Sequence, residues 1–221
     1  MYIGRIMNTS LITVSPETSL VEARKLVEEK GIDHLLVVEG ERLVGILSDR
    51  DLKQYWASPA TSLSQHELTY LLNKVVMKMV MVKTVVTVSP DTTIERAAYT
   101  MTENDINALP VVENERLVGI ITSTDVIGVL LDAIGISEDG SRLSVFVHDS
   151  CGVLAKITDL LGRENINIMS IISWPEKEHP GIQQLVMRVP MQEKDQAVAT
   201  LEAGGFKVKS AYASDITPFL P

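Results

Sequence analysis

The 221-residue sequence predicts an α+β protein made of two unlike parts. Three observations carry this. Residues 7–52 align with residues 81–126 without a gap and 20 of the 46 pairs are identical, so the first two thirds are an internal duplication at an offset of 74 residues. Each copy alternates short Val/Ile/Leu runs with helical spacing, in the order β-α-β-β-α. From Ser141 onward the grammar changes to β-α-β-β-α-β.

Within each copy the elements follow from local signals. Ile12-Thr13-Val14 and Val86-Thr87-Val88 are β-branched runs closed by Ser15-Pro16 and Ser89-Pro90, a strand and then a turn. Leu20, Ala23 and Val27, and in the second copy Ile94, Ala97, Ala98 and Met101, follow at helical spacing. Residues 35–38 and 109–112 form a second strand, Gly40-Glu41 and Asn114-Glu115 supply hairpin turns, and residues 43–47 and 117–121 return as a third strand. These strands are apolar at nearly every position, which marks burial on both faces. One copy of about 50 residues has a marginal core, so the copies are expected to pack as a pair. Between them, residues 58–65 read as a polar loop. Residues 66–80 read as a connecting helix with Leu68, Leu71, Leu72 and Val75 on one face. Met77, Met79 and Met81 suit core or interface packing, or a pliable binding surface.

Composition narrows the class. A net charge of −9 argues against nucleic-acid binding, which needs lysine and arginine to displace counterions. One cysteine excludes an intrachain disulfide and fits a reducing compartment. The N-terminal residues lack the apolar core of a signal peptide, and no apolar run approaches the ~20 residues of a membrane helix. A cytoplasmic protein without membrane insertion is expected.

The most informative stretch occurs twice, as Gly45-Ile46-Leu47-Ser48-Asp49-Arg50-Asp51 and Gly119-Ile120-Ile121-Thr122-Ser123-Thr124-Asp125. Each copy reads as a buried strand that ends on a hydroxyl and turns into a helix. Ser48-x-x-Asp51 and Thr122-x-x-Asp125 have the spacing of a helix-capping box, which needs no ligand. The same geometry suits a nucleoside phosphate. A helix N-terminus and a hydroxyl offer donors to phosphate, a carboxylate suits the two hydroxyls of a ribose, and Ile46 and Ile120 offer apolar walls. Spacing alone leaves both readings open.

These residues, with T-V-x-P-x-x-(T/S)-(L/I) and L-P-V-V, resemble the cystathionine-β-synthase (CBS) domain twice over, from Ile6 to about Leu131. Leu36 departs from the pattern where the second copy has Pro110. The resemblance implies regulatory adenosine-type ligands (AMP, ADP, ATP or another adenosyl compound) rather than a required cofactor. It puts Asp51 and Asp125 on the ribose, with Ser48 and Thr122 nearby, and completes each base pocket from the other repeat. Val86, Ile106, Asn107 and Ala108 would serve the Asp51 site; Ile12, Ile32, Asp33 and His34 would serve the Asp125 site. Arg50, partly offset by Asp49, can pair with phosphate, whereas the second copy has Ser123 and Thr124 there. The Asp51 site is therefore expected to favour ligands with more phosphate, and the Asp125 site a nucleoside or monophosphate.

In the last third, residues 143–147 read as a strand, Gly152 opens a helix with Leu154, Ile157 and Leu161 at helical spacing, and residues 166–172 alternate as a second strand. Residues 185–189 form a third strand, a helix carrying Ala197, Val198 and Leu201 stops at Gly204-Gly205, and residues 206–211 form the last strand. The order is that of a ferredoxin-like fold. Asp149-x-x-Gly152-Val153-Leu154-Ala155 followed by Ile166-Asn167-Ile168 resembles the ACT domain, with Cys151 where that family has proline. The resemblance implies an amino-acid site contacted by Asp149, Gly152 and Asn167, or a domain that only extends or dimerises the protein.

The expected domains are CBS repeat 1 at 1–57, a linker and connecting helix at 58–79, CBS repeat 2 at 80–134, the ACT-like domain at 141–213 and a tail at 214–221. Together they resemble the acetoin-utilisation AcuB-type proteins. His148-Asp149-Ser150-Cys151 invites metal or thiol chemistry but lacks further ligands, and there is no Walker loop or G-x-G-x-x-G. No catalytic residue and no metal site are therefore expected. The sequence reads as a homodimeric allosteric sensor with a protein target, or as an assembly module with empty clefts.

Overall fold

The computed structural model describes residues 1–56, 64–136 and 139–221, which form two units, Met1–Ile127 and Gly128–Pro221. In the first unit, one repeat supplies β1 (Thr13–Val14), α1 (Leu20–Lys30), β2 (His34–Glu39), β3 (Arg42–Ser48) and α2 (Asp49–Gln54). Two connecting helices follow, α3 (Gln65–Lys74) and α4 (Met77–Val80). The other repeat supplies α5 (Ile94–Asn104), β4 (Ala108–Glu113), β5 (Arg116–Thr122) and the start of α6 (Ser123–Ile134), whose residues from Gly128 onward belong to the second unit. β2 and β3 form an antiparallel hairpin with β1 parallel to β2, and β4 and β5 form the matching hairpin.

Local chemistry sets these elements. α1 starts on a reciprocal box between Ser19 and Glu22 and stops on Gly31 at φ 61°, while α5 starts on Thr93 and stops on Asp105 at φ 52°. Leu20, Ala23 and Val27 bury one face of α1 against Leu35, Val37 and Leu47 of the hairpin. Met77 completes that core, Met81 is half-buried and Met79 is exposed.

Two sequence expectations are corrected here. The second copy forms a single bridge, Val88 to Val111, instead of a strand over 86–88. Pro110 stands where the first copy has Leu36, and without an N–H it cannot make the bond that would extend the bridge. The connecting helix is not continuous over 66–80. α3 ends at Lys74 because Val75 and Val76 are extended: the Val75 carbonyl accepts from Leu20 N–H at 2.8 Å and Val76 bridges Ser19. The loop expected over 58–65 lies, through residue 63, outside the described residues.

The repeats exchange their leading arms. Ile3 and Gly4 N–H donate to the carbonyls of Thr92 and Pro90, and Met77 and Lys78 N–H donate to those of Thr18 and Pro16, all at 2.9 Å. Tyr2 bridges Thr93 as Val76 bridges Ser19. Each contact recurs at the 74-residue offset with the repeats interchanged, which is the reciprocity of a two-fold relation.

The second unit contains β6 (Gly140–His148), α7 (Val153–Arg163), β7 (Ser170–Pro175), β8 (Ile182–Pro190), α8 (Lys194–Ala203) and β9 (Val208–Lys209). Its sheet is antiparallel at every pairing, in the order β7-β8-β6-β9, the ferredoxin-like arrangement. Alternate residues Leu143, Val145 and Val147 pack with Leu185, Met187 and Val189 and with Ile157 and Leu161 of α7. Two strands are shorter than expected. β7 begins at Ser170 rather than 166, and β9 holds only Val208 and Lys209. In both cases the preceding helix claims the backbone: Ile166 N–H returns to the Leu161 carbonyl and Phe206 N–H to that of Leu201, each at 3.0 Å. No helix among the described residues is long and apolar enough to cross a membrane.

Candidate functional site

The repeated stretch folds as two equivalent turns. β3 ends on Ser48, whose N–H and hydroxyl both donate to Asp51 Oδ2, at 2.8 and 2.7 Å, and Asp51 N–H donates back to Ser48 Oγ at 3.1 Å. β5 ends on Thr122, which makes the same two bonds to Asp125 Oδ2 at 2.8 and 2.7 Å, with Asp125 N–H returning at 3.3 Å. Both are closed capping boxes. One oxygen of each carboxylate holds the turn, and Oδ1 makes no hydrogen bond among the described residues. A turn of this kind can keep its helix cap and still present an acceptor to a diol.

The caps are tied to the strands beside them. Asp49 N–H donates to the Asp33 carbonyl at 2.8 Å, and Ser123 N–H donates to the Asn107 carbonyl at 2.9 Å. Asp33 and Asn107 are thus each bonded to the turn of their own repeat. The side chains cross between repeats, with His34 Nε2 and Asn107 Oδ1 hydrogen-bonded at 2.9 Å. Ile12, Ile32, Val86 and Ile106 are half-buried and Ala108 is buried.

Ile46 and Ile120 are half-buried, each exchanging two backbone hydrogen bonds with an arm. Ile46 pairs with Val82 at 3.0 and 3.1 Å, and Ile120 pairs with Asn8 at 2.9 and 3.0 Å. The arms border both turns, a contribution absent from the residues chosen from sequence. The signal for it was Gly45 and Gly119, matched glycines inside otherwise apolar strands, which mark close approach of another segment. Met81 and Met7 lie on them.

The turns differ in charge and exposure. Asp49 is ion-paired with Lys53, while the exposed Arg50 has no ion-pair partner among the described residues. Ser123 and Thr124 carry no charge there, and Asp125 is exposed where Asp51 is half-buried.

In the second unit, Asp149 and Gly152 lie in the β6–α7 loop, where Asp149 N–H donates to the Gly181 carbonyl at 2.8 Å and Gly152 caps α7 at φ 88°. Asn167 precedes β7, and its N–H donates to Glu193 Oε2 at 3.2 Å. The register pairs His148 with Ile182 at one end of the sheet and Gly140 with Pro190 at the other, so Asn167 stands at the end opposite Asp149 and Gly152. One chain does not bring these three together. His148 and Cys151 are exposed, and no cluster of three or more metal-binding side chains forms among the described residues.

The CBS domain is matched by residues 3–58 and 77–132, and the ACT domain by residues 141–201. The chain is 35% identical over 158 residues to inosine-5′-monophosphate dehydrogenase of Korarchaeum cryptofilum, covering 68% of this chain and 30% of that protein. It is 34% identical over 127 residues to homoserine O-acetyltransferase of Methanohalobium evestigatum, covering 57% and 23% respectively. The chain thus spans less than a third of the length of these relatives. Among solved structures it is similar to a Vibrio cholerae protein assigned to acetoin utilization (AcuB), at 27% identity and a TM-score of 0.50, covering 61% of this chain and 93% of that one. The chain belongs to the CBS-domain family, as a CBS pair followed by an ACT domain.

Proposed function

We propose that this chain is a regulatory sensor that binds adenosine-type ligands in the two clefts of its CBS pair and signals to a protein target through its ACT domain. AMP, ADP, ATP and other adenosyl compounds share the ribose that Asp51 and Asp125 would hold. The observation that carries this reading is the duplicated hydroxyl–carboxylate turn, which commits Oδ2 to the cap and leaves Oδ1 for a diol. Ser48 and Thr122 lie beside that diol, Ile46 and Ile120 flank the base, and Arg50 adds phosphate affinity on one side. The likeness to the Vibrio cholerae protein supports acetoin utilization as the process.

The chain acts in this reading as a homodimer in the cytoplasm and carries no catalytic centre of its own. An amino acid bound by the ACT domain would sit between two copies, because Asp149 and Gly152 of one chain are remote from its own Asn167.

The closed caps favour a second reading, in which the turns are purely structural and the pair is an assembly module. Thermal unfolding with and without millimolar AMP and ATP separates the two, since a ligand that binds only the folded state raises the melting temperature. Calorimetric titration of wild type, Asp51→Ala and Asp125→Ala then assigns the clefts. Loss of one binding event in each variant is expected; unchanged binding in both would sink the assignment.

A further inference from the structure

We propose that the His34–Asn107 hydrogen bond couples the two clefts, so that a ligand entering one eases entry into the other. The inference rests on the reading of the turns as adenosyl-ligand sites.

Position gives the bond this role. Asn107 is the 74-residue counterpart of Asp33, the immediate neighbour of His34. In a two-fold pair, a residue meets the counterpart of its own neighbour only close to the axis, between the two related sites. Each partner is also tied to a different turn. His34 is opposite Ser48 in the β2–β3 register, and the Asn107 carbonyl holds the N–H of Ser123. A continuous path therefore runs from Asp51 through Ser48, His34 and Asn107 to the turn of Asp125.

The connection occurs once. Its mirror image would join Asp33 to Ala108, and alanine has no polar side chain to give. His34 is half-buried and Asn107 exposed, so the bond can open into water without leaving a buried group unpaired. An adenine base needs hydrogen-bonding partners, and these are the polar side chains that reach across at this junction. A base in either cleft that takes His34 Nε2 or Asn107 Oδ1 for itself breaks the bond. The first ligand bears that cost and the second does not, which gives positive coupling of about two- to tenfold, the range set by one solvent-facing hydrogen bond. The coupling is reciprocal between the clefts.

Calorimetric titration of AMP into wild type, His34→Ala, Asn107→Ala and His34→Gln tests this, with Asp51→Ala and Asp125→Ala reporting each cleft alone. In wild type, each cleft is expected to bind about two- to tenfold more tightly with the other filled than in the single-cleft variants. His34→Ala should tighten AMP at the Asp51 cleft, where Asn107 is left free, and Asn107→Ala should tighten it at the Asp125 cleft, where His34 is left free, each by a similar factor and with the coupling abolished, while His34→Gln, which keeps a donor, should restore it. Stepwise constants in His34→Ala and Asn107→Ala equal to those of wild type would overturn the inference alone. No saturable AMP binding by wild type would overturn the reading of the clefts, and this inference with it.

Discussion

Met81 lies on Gly45 so closely that a β-carbon at Gly45 would collide with its side chain, and Met7 meets Gly119 in the same way. The arm that carries Met81 pairs with the strand that carries Gly45, and that strand runs into Ser48 three residues later. The exchanged arms are therefore what press the two repeats together beside their turns.

Gly45→Ala should overpack this contact and destabilise the protein by about 1–3 kcal/mol. Met81→Ala removes the obstructing side chain, so the double variant should recover part of the loss. Urea unfolding of the two single variants and the double variant measures the interaction directly. Strictly additive effects would show that Met81 is not what excludes a side chain at Gly45.

The parts of this fold that were legible in the sequence are the local ones. The Ser48 and Thr122 turns follow from an i, i+3 spacing, and the caps formed as that spacing requires. The arm exchange is non-local: nothing near Met7 states that its partner is Gly119, and only the matched glycine in each strand hinted at it. The break at Val75 was hidden for the same reason, because the group that extends it, Leu20 N–H, is remote in sequence. The early stop of the second-copy strand is a local feature too, since Pro110 stands where the first copy has Leu36 and carries no N–H. Asn167, grouped with Asp149 and Gly152 by family position, is separated from them by the antiparallel topology itself.

Acid should weaken the helix starts capped by Ser19 and Ser64. The Ser19 backbone N–H and then its hydroxyl hold the Glu22 carboxylate below the ordinary glutamate value of 4.5, and the Ser64 hydroxyl and then its N–H do the same for Glu67. A carboxylate with a depressed folded-state pKa stabilises fully above its unfolded value. That contribution is lost as pH falls through the folded value. Glu22→Gln keeps a capping acceptor but cannot titrate. Its stability should be lower than wild type at neutral pH, with the gap closing below pH 4.5. Melting curves from pH 7 to pH 3 would check this, and a gap that persists unchanged in acid would count against it.

Ser144 sits in the middle of β6, fully buried, and its hydroxyl has no hydrogen-bond partner among the described residues. Ser144→Ala removes an unsatisfied polar atom without opening a large cavity, and should stabilise the protein by about 1 kcal/mol. Ser141, on the same strand, is a control, because its hydroxyl donates to Met191 Sδ at 3.0 Å. Ser141→Ala gains nothing by the same reasoning. A Ser144→Ala variant with a urea midpoint at or below wild type would show that the hydroxyl is satisfied.

Arg50 is the charge that distinguishes the two turns. Asp49, expected to offset part of that charge, is ion-paired with Lys53, and Arg50 has no ion-pair partner among the described residues. An exposed arginine can add a charge-assisted hydrogen bond to a phosphate, of about 1.5 kcal/mol or roughly tenfold in affinity. Arg50→Ala should therefore weaken ATP more than AMP at the Asp51 cleft and leave the Asp125 cleft unchanged. Introducing the charge at the second turn, as Thr124→Arg, should raise ATP affinity there. Titrations of both nucleotides in low and high salt read the effect, which should shrink as salt screens the exposed pair. An Arg50→Ala variant with an unaltered ATP-to-AMP ratio would mean that the phosphates lie away from this side chain.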